Sequence, residues 1–316
     1  MTDRIELLKE QLIEDRLDLA MEVLATSAKL KMPLGWHYIL DLIWLLKELE
    51  SLPKGARVLD AGAGWGLMQF LLADRGYEVI SADMIVREPR RDLERLYRFE
   101  TMGTAETIDH EYLDHHRSRR RPLRSLRANA SQLLETPLRR LPGLFARRLR
   151  LGAHPEAERP PAPSTDRPRI NLFRCDLTHM SEVPDNSIDA VVSVSALEHN
   201  APATVKTIVQ ELLRVAKPSA PLLLTVSACE HGSAFHDESH SYLLDERGLI
   251  DVYGLVEPDS DFRDFAVAMA NLREPRHLGR WLPITYYNTD RNGMPWGIWD
   301  PKYMPVGIRK IAPQQD

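Results

Sequence analysis

The spacing of apolar positions changes several times along the chain, and each change predicts a different element. Residues 4–30 carry apolar side chains three and four positions apart, which predicts an amphipathic helix. Pro33 and Gly35 interrupt this pattern, and the same spacing returns over residues 36–49 and predicts a second helix. We therefore expect an N-terminal helical cap over residues 1–50.

A short apolar run, a glycine-rich turn, a helical pattern and a second apolar run follow one another within residues 57–83. This order is typical of a βαβ unit, in which a helix joins two parallel strands and covers the sheet. Further strand patterns lie at 170–175, 188–195, 222–226 and 304–308, and further helical patterns at 202–216 and 241–254. The chain is therefore predicted to have an α/β fold with a doubly wound, mostly parallel sheet.

Residues 87–168 interrupt the alternation of strands and helices, because they show no strand pattern. Eleven arginines against one acid, Glu135, lie between Arg117 and Arg150, and leucines are interleaved with them. Five prolines follow between Gly152 and Pro168, and such a stretch favours an extended linker. We expect an insertion at 87–168 that divides the main domain into residues 51–86 and 169–316.

Composition narrows the class of protein. The 316 residues are 43% hydrophobic and 28% charged, which excludes a disordered chain. No apolar stretch approaches the ~20 residues that span a bilayer, and no secretory signal is visible, so we expect no transmembrane segment and a cytoplasmic protein. Cys175 and Cys229 are too few for a disulfide framework or a four-thiolate zinc site. A net charge of -5 argues against a chain that binds nucleic acid over its whole surface.

The turn Asp60-Ala61-Gly62-Ala63-Gly64-Trp65-Gly66 carries the most informative chemistry. Glycines after the first strand let the backbone approach a ligand in the crevice where such sheets bind ligands. Asp83 ends the next strand, 21 residues beyond Gly62, a separation at which a carboxylate can meet a ribose diol. A carboxylate at Asp60 repels a pyrophosphate but suits ammonium and sulfonium groups. The turn therefore favours S-adenosylmethionine over a dinucleotide as the cofactor.

Taken in order, these motifs resemble the class I S-adenosylmethionine-dependent methyltransferases. The resemblance rests on residues 58–66, Asp83, Cys175-Asp176-Leu177, residues 189–199 and residues 211–218, and it covers about 55–87 and 169–228. Ser219-Ala220 departs from the Gly-Gly that usually follows Lys-Pro in this family. The resemblance implies a seven-stranded Rossmann-like sheet, here with a large insertion after the second strand.

The resemblance also implies a set of cofactor contacts. Gly62, Gly64 and Gly66 would line the methionine part, and Asp60 would lie near its amino group. Asp83 would accept hydrogen bonds from the ribose hydroxyls. Met84 would pack on the adenine face, and Asp176 would accept from the adenine amino group. Ser193 and Ser195 would lie below the methyl-donating end of the cofactor. Simple core packing for Met84 and a helix N-cap for Asp176 stay open as alternatives.

Histidines are the candidate general bases, since a hydroxyl acceptor benefits from proton removal. His199 follows Glu198 at the carboxyl edge of the sheet, and His231 and His236 lie in a polar stretch with His240. His199 could equally cap, or form a hydrogen bond with, the helix that it precedes. His236 and His240 are four residues apart, but no zinc motif surrounds them, so we predict no metal site.

The acceptor is less defined than the cofactor. We expect a methyltransferase that acts on an oxygen or nitrogen of a small molecule. Two alternatives stay open: RNA or another polyanion bound by residues 117–150, and a nucleoside-binding scaffold without transfer activity. Aromatic residues that could line an acceptor pocket or pack in the core are Trp281, Tyr286, Tyr287, Trp296, Trp299 and Tyr303, while Trp36 and Tyr38 could cover the cofactor cleft.

Overall fold

The computed structural model describes residues 2–32, 34–103, 167–274, 278 and 299–314. Its strands are β1 (Arg4–Leu7), β2 (Arg57–Ala61), β3 (Glu78–Asp83), β4 (Arg98–Met102), β5 (Arg169–Arg174), β6 (Ala190–Val194), β7 (Pro221–Ala228), β8 (Ala234–His236), β9 (Ser241–Leu243), β10 (Asp259–Ser260) and β11 (Met304–Ile311). Its helices are α1 (Gln11–Asp15), α2 (Leu17–Leu30), α3 (Tyr38–Glu48), α4 (Met68–Asp74), α5 (Arg91–Glu94), α6 (Pro202–Val215), α7 (Glu246–Tyr253) and α8 (Phe265–Arg273).

One large sheet organises the described residues. Its strand order is β10-β1-β11-β7-β6-β2-β3-β5-β4, and β8 and β9 form a separate antiparallel hairpin. Only β11 runs against its neighbours β1 and β7 within this sheet, and all other neighbouring strands are parallel. The central strands are near-continuous apolar runs because both faces of a parallel sheet are covered. The α/β, doubly wound fold class is confirmed.

The centre of the sheet contains the point from which the chain winds in two directions. Strands β2 and β6 are neighbours; β2 continues through α4 to β3 on one side, and β6 continues through α6 to β7 on the other. Because such crossovers are right-handed, α4 and α6 lie on opposite faces of the sheet. The crevice at the carboxyl ends of β2 and β6 is therefore the place where a fold of this type binds its ligand.

The expectation of one helix over residues 4–30 is wrong at its start. Residues Arg4–Leu7 form β1, which pairs with β11 on one side and β10 on the other. Ile5 and Leu7 are buried and alternate with partly exposed neighbours, which is the period of a strand. Helix begins only at Gln11, and the second predicted helix is confirmed as α3.

Two further short strands escape the sequence pattern. Strand β4 lies inside residues 87–168, where no strand is expected, and pairs with β5 at the edge of the sheet. Strand β9 occupies the start of the stretch predicted as helix from 241, and α7 begins after Asp245, whose side chain accepts from the Gly248 amide. The main sheet has nine strands where seven are expected, because short strands at its edges, such as β4 and β10, carry too few residues for a periodic signal.

The N-terminal helices pack directly on the sheet. Helix α3 contacts β6, β7 and β11, and Trp44 of this helix is fully buried. Gly307 of β11 makes room for Trp44, since a Cβ atom there would lie 2.4 Å from its ring. Residues 104–166, which include the arginine-rich stretch 117–150, lie outside the described residues, and the three-part division of the chain stays a prediction.

Candidate functional site

A cavity of about 600 Å³ lies at the carboxyl ends of β2, β3 and β6. The segment between α2 and α3 contributes Met32 and Leu34 to its wall, and α3 contributes Tyr38 and Leu42. The predicted site residues that line it are Asp60, Gly62, Gly64, Gly66, Asp83, Met84, Asp176, Ser195 and His199. The topology thus brings together residues from distant parts of the chain, in a volume typical of sites for small ligands.

The glycine turn needs glycine for two separate reasons. Gly62 and Gly64 have φ values of +76° and +49°, a backbone region that side chains with a Cβ rarely adopt. A Cβ on Gly62 would also lie 2.6 Å from the Cβ of Ala196, which follows β6. Only glycine therefore lets the turns after β2 and β6 approach each other this closely.

Asp83 holds the glycine turn in place. Its Oδ2 accepts a hydrogen bond from the Gly64 amide at 2.7 Å, and its Oδ1 accepts from the Ile85 amide at 3.0 Å. A carboxylate can accept about four hydrogen bonds, so these two contacts leave capacity for a ligand. Asp83 both shapes the turn and presents acceptor oxygens at the cavity wall.

A buried arginine supports the same turn from below and was not predicted. The Arg87 guanidinium donates to the Gly64 carbonyl at 3.0 Å, to Ser81 Oγ at 2.5 Å and to the Phe173 carbonyl at 3.4 Å. Gln69 reinforces this arrangement, donating to the Gly66 carbonyl at 3.0 Å and accepting from Ser81 Oγ. No sequence motif identifies Arg87. It is the first residue of the expected insertion at 87–168, where no contact with the glycine turn is expected.

Asp60 carries the strongest electrostatic signal in the site. It is 1% exposed, and neither of its carboxylate oxygens has a hydrogen-bond partner in the described structure. Burial raises its pKa to about 7, while Arg87 lowers the pKa and Asp83 raises it. Buried carboxylates are costly without a donor, so this one points to a positively charged ligand group in the cavity.

The other predicted cofactor contacts occupy the far side of the cavity and the end of β6. Asp176 is exposed, and its Oδ1 accepts from the Thr178 amide at 2.8 Å, so it holds a turn rather than a helix N-terminus. Ser195 donates to Glu198 Oε1 at 2.6 Å. Ser193 is fully buried and is not part of the cavity wall, so its assigned role below the reacting end stays a prediction.

The three candidate bases lie in different places. His199 stands at the cavity rim, and its Nδ1 donates to the His240 carbonyl at 2.8 Å, which leaves Nε2 as the acceptor in the neutral ring. His231 is 89% exposed beside Glu230, and His236 lies in the β8–β9 hairpin, 2.7 Å from Ser239 Oγ. Neither belongs to the cavity wall, and their catalytic roles stay predictions.

An aromatic cluster stands beside the cavity and consists of Trp36, His37, Trp299 and Tyr303. The Trp36 ring lies 5.3 Å from the Tyr303 ring and 6.0 Å from the Trp299 ring, between centroids. Tyr38 lines the cavity as expected of a residue that covers the cleft, whereas Trp36 packs on Tyr303. The other predicted aromatic residues, Trp281, Tyr286, Tyr287 and Trp296, lie outside the described residues.

Two absences concern the described part of the chain alone. No group of three or more histidine, cysteine or acidic side chains there is arranged to hold a metal ion. None of the helices found there has both the length and the apolar character required to cross a bilayer.

Comparison with known proteins finds one family model that matches part of the chain. Residues 153–224 match a model described as a methyltransferase domain. The match covers less than a quarter of the 316 residues. The matched range contains β5, β6 and α6 with Asp176 and His199, and it ends within β7. This match agrees with the resemblance to the class I methyltransferases, although it does not reach the glycine turn.

The solved structures that resemble this chain are distant from it in sequence. Phosphoethanolamine N-methyltransferase 2 of Haemonchus contortus, in complex with S-adenosyl-L-methionine, is 13% identical over 86% of this chain and 52% of its own, with a TM-score of 0.44. The 1,6-didemethyltoxoflavin-N1-methyltransferase of Burkholderia thailandensis is 11% identical over 84% and 75%, with a TM-score of 0.39. The [4+2]-cyclase SpnF is 14% identical over 99% of both chains, with a TM-score of 0.43.

These likenesses name neither a substrate nor a reaction for this chain. The alignment spans about half of the Haemonchus contortus protein, and folds of this kind carry many chemistries. No curated protein matches the sequence. The function of this chain therefore has to be argued from its own site.

Proposed function

We propose that this protein is a methyltransferase that binds S-adenosylmethionine in the cavity and methylates an oxygen or nitrogen of a small molecule. The unpartnered, buried carboxylate of Asp60 is the observation that carries the proposal. It lies in the wall of a cavity framed by Gly62 and Gly64, where an ammonium group would supply the missing hydrogen-bond donors. A pyrophosphate would instead meet a repelling charge.

The residues present fit the cofactor along its length. Asp60 would take the amino group, the glycine turn would admit the methionine chain, and Asp83 would accept from the ribose hydroxyls. Met84 and Asp176 line the same cavity and would contact the adenine. When bound, S-adenosylmethionine supplies a methyl group that its positively charged sulfur already activates. The protein therefore has to orient the acceptor and exclude water rather than activate the methyl group.

His199 is the residue of this site best suited to accept the proton of an acceptor. Its Nδ1 donates to the His240 carbonyl, so Nε2 is the ring nitrogen that could accept a proton in the neutral imidazole at the cavity rim. A positioned base contributes on the order of 10²–10⁴-fold to the rate with a hydroxyl acceptor. The cavity volume supports a small acceptor rather than a polymer.

Methyl transfer from labelled S-adenosylmethionine to a panel of small alcohols and amines tests this function. We expect transfer by the wild type, at least 100-fold slower transfer by His199→Gln, and none measurable by Asp60→Asn. The control is Asp251→Asn, because Asp251 is a 69% exposed residue of α7 paired with Lys206. Equal rates for Asp60→Asn and the control would refute the proposed role of Asp60.

A further inference from the structure

Arg87 is a buried cation that contacts only uncharged oxygens. It is 7% exposed. Its Nη1 donates to the Gly64 carbonyl at 3.0 Å and to Ser81 Oγ at 2.5 Å, and its Nη2 donates to the carbonyls of Ser81 and Phe173. Burying a charge is costly unless an opposite charge compensates for it. Hydrogen bonds to neutral oxygens do not require a charged donor, so they leave the choice of arginine unexplained.

The compensating charges are the two carboxylates of the candidate cofactor site. Burial lowers the pKa of Arg87, whereas the negative charges of Asp83 and Asp60 both raise it. The Cys175 thiol also lies near the guanidinium, but burial raises its pKa, so it is neutral at physiological pH. One cation therefore lies close to two carboxylates without pairing directly with either, and its charge acts on both.

Gly64 is held on both sides by these charged side chains. Its amide donates to Asp83 Oδ2 at 2.7 Å, and its carbonyl accepts from Arg87. The two hydrogen bonds fix the peptide groups that flank the Gly64 Cα, where φ is +49°. Because Gly64 lines the cavity, this arrangement determines the backbone surface that a ligand meets.

The loop after β3 places Arg87 beneath the glycine turn. The Ile85 amide donates to Asp83 Oδ1 at 3.0 Å, which turns the chain back at the end of the strand. Arg87 then reaches Ser81 of β3 and Phe173 of β5 as well as the turn after β2. A planar guanidinium suits several fixed acceptors at once, whereas a lysine offers one nitrogen. A single cation thus connects three neighbouring strands at the carboxyl edge.

The position of Arg87 makes its effect on a ligand indirect. It is not among the residues of the cavity wall, whereas Asp60 and Gly64 are. We propose that Arg87 is a positioning residue for the cofactor: it fixes Gly64 against the cavity and keeps the Asp60 carboxylate charged, so that Asp60 can bind the cofactor ammonium. This inference rests on the proposed function and deepens it, because it assigns a residue outside the cavity wall to the same site.

The charge of Arg87 has a consequence that its hydrogen bonds do not have. Burial raises the pKa of Asp60 to about 7, Arg87 lowers it, and Asp83 raises it. Removal of the Arg87 charge should therefore raise this pKa above 7. A protonated Asp60 offers no charge to an ammonium group, so ligand affinity rises with pH until Asp60 is ionised. Loss of the charge moves this rise to higher pH, whereas a distorted turn weakens binding equally at every pH.

Calorimetric titration of S-adenosylhomocysteine into the full chain at pH 6.5, 7.5 and 8.5 tests the proposal. In the wild type we expect the affinity to rise less than twofold between pH 7.5 and 8.5, because Asp60 is mostly ionised there. In Arg87→Met we expect at least tenfold weaker binding at pH 7.5 and a rise of at least threefold between pH 7.5 and 8.5. The ligand titrates identically in both experiments, so the difference belongs to the protein.

Further variants separate charge from geometry. Arg87→Lys keeps the charge but loses the fork, so its affinity should fall while its pH dependence stays like that of the wild type. Arg95→Met is the matched control, because Arg95 is an exposed arginine at the end of α5, and it should bind like the wild type. If Arg87→Met fails to fold, Arg87→Gln decides in its place, since glutamine keeps side-chain donors without the charge.

The inference and the proposed function fail through different results. Wild-type affinity in the folded neutral variant, or an affinity lowered by the same factor at all three pH values, would overturn the role of the Arg87 charge and leave the cofactor proposal standing. No heat of binding in the wild type at millimolar S-adenosylhomocysteine would instead remove the cofactor proposal itself.

Discussion

Asp60 places a carboxylate where the folded chain itself offers it no hydrogen bond. Burial raises its pKa to about 7, far above the value of about 4 expected in the unfolded chain. The folded state therefore binds this proton more tightly than the unfolded state does. Its contribution to stability is present at low pH and is lost as the pH rises towards 7. A ligand ammonium would offset this loss.

Asp60→Asn should therefore stabilise the ligand-free protein, relative to the wild type, more at high pH than at low pH. One pKa unit corresponds to about 1.4 kcal/mol of stability. The difference in unfolding free energy between Asp60→Asn and the wild type should therefore grow by about 3 kcal/mol between pH 5 and pH 8. Urea unfolding at both pH values measures it, with Asp251→Asn as the exposed control. A difference that stays constant between the two pH values would contradict the buried, perturbed carboxylate.

Gly62→Ala should damage the cavity through a clash as well as through backbone strain. The new Cβ would lie 2.6 Å from the Ala196 Cβ, so the turns after β2 and β6 must separate. We expect a loss of roughly 1–3 kcal/mol of stability and at least tenfold weaker binding of S-adenosylhomocysteine.

Gly232→Ala is the matched control for this variant. Gly232 has a similar φ of +71° but no atom within 4 Å of an added Cβ, so it carries the backbone strain without the clash. Calorimetry and urea unfolding on both variants separate the two effects. Equal cofactor affinity in Gly62→Ala and Gly232→Ala would show that the close approach of the two turns is unimportant.

Residues with a motif could be predicted from the sequence, and residues that act through tertiary contacts could not. The glycine turn, Asp60 and Asp83 stand at the ends of recognisable strands, so their convergence follows from parallel topology. Arg87 acquires its importance from partners far away in sequence, since its guanidinium reaches the carbonyls of Gly64 and Phe173. A single sequence carries no signal for the carbonyls that Arg87 reaches or for an unpaired buried oxygen.

At the scale of elements, the contact between α3 and β11 fixes the N-terminal helices on the sheet. Gly307→Ala should force the Trp44 ring away, since a Cβ there would lie 2.4 Å from it. Overpacking of this kind costs roughly 1–3 kcal/mol, which urea unfolding measures. Trp44→Phe should recover part of that loss when combined with Gly307→Ala. Additive effects of the two substitutions would contradict the proposed contact.

Long elements were predicted well because their periodicity extends over several turns or over a whole buried strand. Helix α3 and strands β2, β3, β5 and β7 lie close to their expected bounds. Strand β1 was mistaken for helix because its few residues fit both periods, and pairing with β11 decides between them. Strands β4 and β9 likewise depend on partners that the local sequence does not specify.

At the scale of the whole molecule, winding in two directions from β2 and β6 creates one crevice. Asp60, Asp83 and Ser195 meet there, because β2, β3 and β6 all end at that edge of the sheet. The fold class follows from alternating periodicity alone. The substrate does not, since one fold supports many reactions and only the charges at the crevice restrict its ligand.

The central claim is that the Asp60 carboxylate binds the ammonium group of the cofactor. Calorimetric titration of S-adenosylhomocysteine at pH 8 into the wild type and into Asp60→Asn tests this claim most directly. The account predicts one site per chain in the wild type and at least 100-fold weaker binding in Asp60→Asn, with Asp251→Asn binding like the wild type. No heat of binding in the wild type at millimolar ligand, or equal affinity in Asp60→Asn, would contradict it.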